Sequence, residues 1–116
     1  MEAELPDGAL VVRGGLNEPE SMRRSAEDEF EDSGEYSLSV AADAEMTLEE
    51  LVAANRTPHR TIRKTTAGAL RSAGFVVTPP KGTKRHADLI VPNPPADDVW
   101  QRLDEIFDPP ERNPRR

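Results

Sequence analysis

The chain has 116 residues, no cysteine, 35% apolar and 4% aromatic residues, and a formal net charge of −7. That length fits one domain with a small core, and the lack of cysteine excludes a disulfide framework or a thiolate metal site. No apolar run approaches the roughly 18–20 residues of a membrane span, and MEAELPDG lacks the basic and apolar regions of a secretory signal, so the expectation is a soluble, cytoplasmic protein with no membrane partner.

Residues 1–8 read as a flexible N-terminus, 9–108 as a single α+β domain and 109–116 as a flexible C-terminal tail. The run Ala9–Arg13 is a short buried strand that stops at Gly14-Gly15. A helix follows, with Asn17 as N-cap, Pro19 in the first turn and Glu20 three residues beyond the cap. Met22, Ala26 and Phe30 recur on one of its faces, and Gly34 ends it. Glu35–Ala42 alternates, with Tyr36, Leu38, Val40 and Ala42 on one face and the small residues Ser37, Ser39 and Ala41 on the other. The small face suits packing against a helix or bordering a ligand.

Thr47 and Glu50 form a capping box for a second helix, with Met46 stapling onto Leu51 and Asn55 and Pro58 stopping it. Two readings then compete. In one, Thr61–Thr65 is a strand, Thr66 caps a short helix over 67–73, and strands at 75–78 and 86–91 flank a basic loop. In the other, 47–54 and 60–73 make a helix-turn-helix with 75–91 as a hairpin wing. Thr65, Thr66 and Gly68 are weak helix formers, so strand–helix–strand is preferred. The last helix begins at Pro94-Pro95, places Val99, Trp100, Leu103, Ile106 and Phe107 at helical spacing, and stops at Asp108-Pro109-Pro110. Together these elements predict a mixed or antiparallel sheet with helices packed on one face.

Charge is segregated along the chain. Residues 1–55 carry fifteen acids and three arginines, whereas 56–92 carry eight basic residues and one acid, Asp88. Both histidines, His59 and His86, lie in that basic stretch. Two imidazoles among arginines are the parts for metal-independent RNA cleavage: a base for the 2′-hydroxyl, an acid for the leaving oxygen, and guanidinium for the phosphorane. Arg60, Arg63 and Lys84 or Arg85 fit the last role, Thr65 a hydrogen-bond donor, and Lys64 and Lys81 the same phosphate-binding surface. Arg13, ending its strand before two glycines, is placed to offer a bidentate fork to a phosphate. The bland counterparts are surface histidines in polar loops and an Arg13 paired with the acids of 18–35. The run at 26–32, AEDEFED, is a solvated helix face or a mate for the basic stretch. No metal or cofactor motif is present.

The segment order LVVRGG, EYSLSVAA, IRKTTAGALRSAGF, HADLIVPNPP and FDPPERNP resembles a group of small bacterial proteins, which implies a recurring compact domain and no particular activity. The chain is also similar to ADP-ribosyltransferases in having an arginine on the first strand (Arg13) and Ser37-Leu38-Ser39 on a later one. That family's catalytic glutamate has no counterpart, because His86-Ala87-Asp88 occupies its neighbourhood. The two histidines resemble those of small toxin-like ribonucleases of mixed α/β fold. The leading expectation is a toxin-like protein that binds or processes a phosphate-bearing ligand, RNA ahead of DNA, with His59 and His86 as the acid–base pair. The rivals are a winged-helix DNA reader and an antitoxin-like protein-binding partner that uses its acidic half; the sequence leaves a homodimer open.

Overall fold

The structure is a computed structural model that describes residues 4–116. Residues 1–3 of the expected flexible N-terminus lie outside the described residues. The elements run β1 (Leu10–Gly14), α1 (Pro19–Ser33), β2 (Ser37–Asp43), α2 (Leu48–Asn55), β3 (Thr61–Thr66), α3 (Ala67–Ser72), β4 (Val76–Val77), β5 (His86–Ile90), α4 (Val99–Ile106) and β6 (Glu111–Arg112). They form an α+β domain around one six-stranded sheet of order β4-β5-β2-β1-β3-β6, in which every neighbouring pair is antiparallel.

Strand alternation divides the apolar residues between two faces. Val11, Leu38, Val40, Ala42, Ala87 and Leu89 point to the face covered by α1, α3 and α4, and share a core with Met22, Leu70, Leu103 and Phe107. The expectation of helices on one face holds for these three. The remaining helix, α2, crosses the other face because it joins β2 to β3, which lie in parallel on either side of β1. Its Leu51 and Val52 pack on Val12, Ala41 and Ile62. The crossover opens with the capping box of Thr47 and Glu50 and closes at Arg56, which takes a left-handed φ of 59°.

The strand–helix–strand reading of 61–78 is the one realised. β3 ends at Thr66, whose hydroxyl accepts from the Ala69 N–H at 3.2 Å and caps α3. A helix over 60–73 does not form, so the winged-helix arrangement is absent. The β-branched run Thr61, Ile62, Thr65 and Thr66 gains more from pairing with β1 than from a helix containing Gly68.

Asn17 is not the N-cap expected of it. Its backbone has φ 51°, and its side-chain amide donates to the Gly14 and Gly15 carbonyls at 3.1 Å each. It therefore closes the turn after β1, and α1 starts from Glu18 with no side-chain cap. The last helix also starts later than expected, at Val99 rather than at Pro94-Pro95.

Neither end of the described chain is free. Leu5 is buried, and the Asp7 carbonyl accepts from the Gly68 N–H at 2.8 Å. The tail expected to be loose supplies β6 and Asn113, which is fully buried; its amide donates to the carbonyls of Thr57 and His59 at 3.2 and 2.9 Å.

Arg63 holds the layers together. Its guanidinium donates to Asp104 Oδ1 at 2.5 Å and to the carbonyls of Asn17, Asp104, Phe107 and Asp108 at 2.8–3.1 Å. Those groups belong to the end of α4, the chain beyond it and the turn before α1, so one β3 side chain terminates a helix and fixes two connections. Truncation to Ala would strand a carboxylate and four carbonyls. We expect Arg63→Ala to lose about 3 kcal/mol, the low end for a broken buried pair because Asp104 is partly open to water. Urea denaturation would read this loss, with Asp104→Asn expected to cost less.

Candidate phosphate-binding recess

The ladder between β1 and β2 stops at the pair Val12–Ala41. One residue further along β1, Arg13 turns its guanidinium into the gap. Nη1 donates to the Ser39 carbonyl at 2.6 Å, and Nε donates to Asn17 Oδ1 at 2.7 Å. Nη2 donates to no protein group among the described residues, and no carboxylate lies within ion-pair distance of Arg13 there. Burial lowers the Arg13 pKa from its ordinary value, yet a guanidinium stays protonated in proteins. The expected alternative, pairing with acids of 18–35, is not adopted: Arg23 and Arg24 take Glu20, and Arg23 also takes Glu27.

At this end of the ladder lies a recess of about 80 Å³ lined by Val12, Arg13, Gly14, Ser39, Val40, Ala41, Asn55, Thr57 and His86. Asn55 and Thr57 come from the end of α2, and Asn55 Nδ2 donates to the Lys84 carbonyl at 2.9 Å. That bond draws the basic loop of 81–85 to the rim. On the small face of β2, Ala41 packs under α2, the first of the two uses expected of it, while the exposed Ser39 lines the recess.

The two histidines reach the same face by different routes. His86 opens β5 opposite Ala41, and its Nε2 lies 3.3 Å from Asp88 Oδ1. His59 precedes β3 and lies over Gly14, where any Cβ would fall inside contact distance of Nδ1. Asn113 holds the His59 carbonyl from behind. β5 and β3 are not neighbours, so the strand ends do not meet as expected. Two strand spacings and two residues separate Gly14 from His86, about 12 Å of backbone. Of the two imidazoles, His86 lines the recess and His59 lies over Gly14 at its edge.

The other residues expected at the site divide cleanly. Arg63 is buried with its donors engaged, and Thr65 donates its hydroxyl to the Ile106 carbonyl at 3.0 Å; both serve the fold. Lys64 pairs with Glu111 at 3.2 Å and Arg85 with Asp43 at 2.7 Å. Arg60, Lys81 and Lys84 are exposed and pair with no acid among the described residues, as does Arg56, which the sequence reading did not single out. Asn55, Thr57 and Asn113 were also missed. Only the helix stop at Asn55 gave any signal.

Comparisons of the chain with protein-family models, curated proteins and solved structures gave no match in any of the three.

Two predictions follow from this geometry. Gly14→Ala should push His59 off β1, shifting its imidazole NMR resonances while the far-UV circular dichroism stays unchanged. Asp43 offers a test in acid. Burial opposes its ionisation, but the Glu45 and Met46 N–H groups and Arg85 more than offset this and hold its pKa below the ordinary value. Its contribution is therefore full above the ordinary carboxylate range and is lost as pH falls through the lowered folded value. Thermal melts between about pH 5 and pH 1 should show a shallower decline for Asp43→Asn than for the wild type.

Proposed function

We propose that the recess binds a phosphate-bearing ligand, with RNA as the class that fits best. The observation that carries this reading is Arg13, a partly buried guanidinium with an unclaimed nitrogen and no carboxylate partner among the described residues. A charge set into a wall without an anion to answer it is a receptor for one, and a guanidinium suits the two oxygens of a phosphate. Ser39, Asn55 and Thr57 add neutral polar groups and His86 a potential cation to its lining, and Asn55 ties the Lys84 backbone nearby.

Part of the acidic half reaches this surface: α2 roofs its covered portion, Asp43 pairs with Arg85, and Glu49 lies 3.7 Å from Arg115. Within α1, Glu20 and Glu27 pair with Arg23 and Arg24 of the same helix. Of the eight basic residues of 56–92, Arg63, Lys64, Arg71 and Arg85 pair with acids, while Arg56, Arg60, Lys81 and Lys84 pair with none among the described residues. The ribonuclease form of the proposal requires both imidazoles to reach one phosphodiester within about 3 Å. With some 12 Å of backbone between Gly14 and His86, the geometry favours binding, and cleavage requires the ligand to draw His59 and His86 together.

The test is a fluorescence titration of labelled single-stranded RNA and duplex DNA at two salt concentrations, followed by a gel of the recovered RNA. Single-stranded RNA should bind and weaken with salt, and Arg13→Gln should lose at least about tenfold in affinity, the equivalent of one charge-assisted contact. Cleavage lost in the His59→Ala/His86→Ala double variant would establish the nuclease form. A wild-type protein that binds neither nucleic acid would overturn the proposal.

A further inference from the structure

On the far side of His59, beyond β3, the sheet edge carries a second basic surface. An open groove of about 950 Å³ runs between the Gly15–Leu16 turn and β6, lined by Leu16, Arg60, Pro110, Arg112, Arg115 and Arg116, among others. Its acid, Glu111, is engaged with Lys64 at 3.2 Å. Arg115 is 3.7 Å from Glu49, but both side chains are more than half exposed, and such a pair contributes little. Arg60 and the Arg116 side chain pair with no acid among the described residues, and Arg112 donates only through Nε, to the Arg116 main-chain oxygen at 2.9 Å. The exposed Leu16 and Pro110 supply apolar surface beside the cations.

This groove is not an isolated patch. Arg60 adjoins His59, and Asn113 ties the groove wall to the His59 loop through the Thr57 and His59 carbonyls, while its own N–H donates to the Arg60 carbonyl at 2.8 Å. Recess and groove therefore lie on either side of one fixed residue. Four arginines in an open channel with intermittent apolar contacts match a single-stranded backbone, whose phosphates recur while its bases and sugars seek apolar surface.

Resting on the recess reading above, we infer that the groove continues the recess: the ligand is a single-stranded polynucleotide several nucleotides long, one phosphate at Arg13 and its continuation passing His59 into the Arg60–Arg112–Arg115 channel. A mononucleotide would fill the recess alone. The arginine-rich channel, whose one acid is engaged by Lys64, favours nucleic acid over an acidic polypeptide, which would not require a phosphate-sized terminus at Arg13.

The experiment compares labelled RNA oligonucleotides of two and twelve nucleotides, titrated into wild type, Arg112→Gln/Arg115→Gln and Arg13→Gln across a salt series. The groove variant should bind the 12-mer about tenfold or more weakly, while its dinucleotide affinity stays within about twofold of wild type. Its log–log salt slope for the 12-mer should fall by about 1.4, two contacts at about 0.7 each for a single strand. Should the 12-mer bind the groove variant like wild type while Arg13→Gln still loses affinity, the channel is overturned and the recess stands. Should the wild type bind neither length, both readings fall. An equal loss of both lengths in the groove variant, with unchanged circular dichroism, would also overturn the channel, since the arginines would then act on the recess itself.

Discussion

A guanidinium taken out of water must find a partner for each of its N–H groups, and the way Arg63 meets that demand organises the rest of the molecule. Its position on β3 is set by alternation: Ile62 packs under α2, so Arg63 faces the layer of α1, α3 and α4. The available acceptors there are the carbonyls left over where α4 ends, together with Asp104 on its last turn. A helix end that would otherwise need water is thereby satisfied from inside, and the Phe107 ring lies 5.8 Å from the guanidinium carbon. Because the Asn17 carbonyl accepts the same group, the turn that leads out of β1 is fixed by an atom on β3. Asn17 in turn carries the amide that closes Gly14-Gly15 and the oxygen that orients Arg13. The exposed chemistry of Arg13 rests, two bonds removed, on the buried chemistry of Arg63.

The opposite face is shaped by coverage that is only partial. One short helix, α2, cannot span six strands, so it roofs Val12, Ala41 and Ile62 and leaves Ser39, His86 and Asp88 open. The recess forms at the boundary between covered and uncovered sheet, where β1 and β2 have already parted. Such a boundary joins the stiffness of packed strands to access for solvent. Both histidines stand there on short connections pinned by backbone bonds: the Lys81–His86 pairing at 2.8 and 3.2 Å on one side, the Asn113 amide on the other.

Local signals carried the fold well. The capping box at Thr47, the Gly34 stop, the alternation in β2 and the β-branched run in β3 each depend on neighbours within a few residues, and each appears in the structure as read. What could not be read was the fate of polar residues set by distant partners. Arg63 and Lys64 are adjacent and look alike in a basic run, yet one is buried among α4 carbonyls and the other pairs on the surface with Glu111. Covering both faces of β3 makes that difference, and coverage is a property of the whole topology. Asn113 was hidden for a related reason: ERNPRR has the composition of a loose tail, and only the open carbonyls of Thr57 and His59 give its amide a place. Arg13 was visible as an arginine before two glycines, but its lack of an acid partner among the described residues depends on the folded arrangement, in which Glu20 and Glu27 pair with Arg23 and Arg24 instead.

The segregation of charge along the chain also bears on what a pI of 4.8 means here. At physiological ionic strength, fields between exposed charges fade over about 8 Å, whereas the molecule measures 34 × 33 × 26 Å. A polyanion close to the recess or the edge groove meets Arg13, Arg60 and Arg112 at short range, whereas charges at the far side of a molecule of this size are screened from it. For such a visitor the protein is locally a cation, whatever its titration curve says. Bulk behaviour such as migration in a field or retention on an ion exchanger would follow the excess of acids. Contact recognition follows the face presented, and the two report opposite signs.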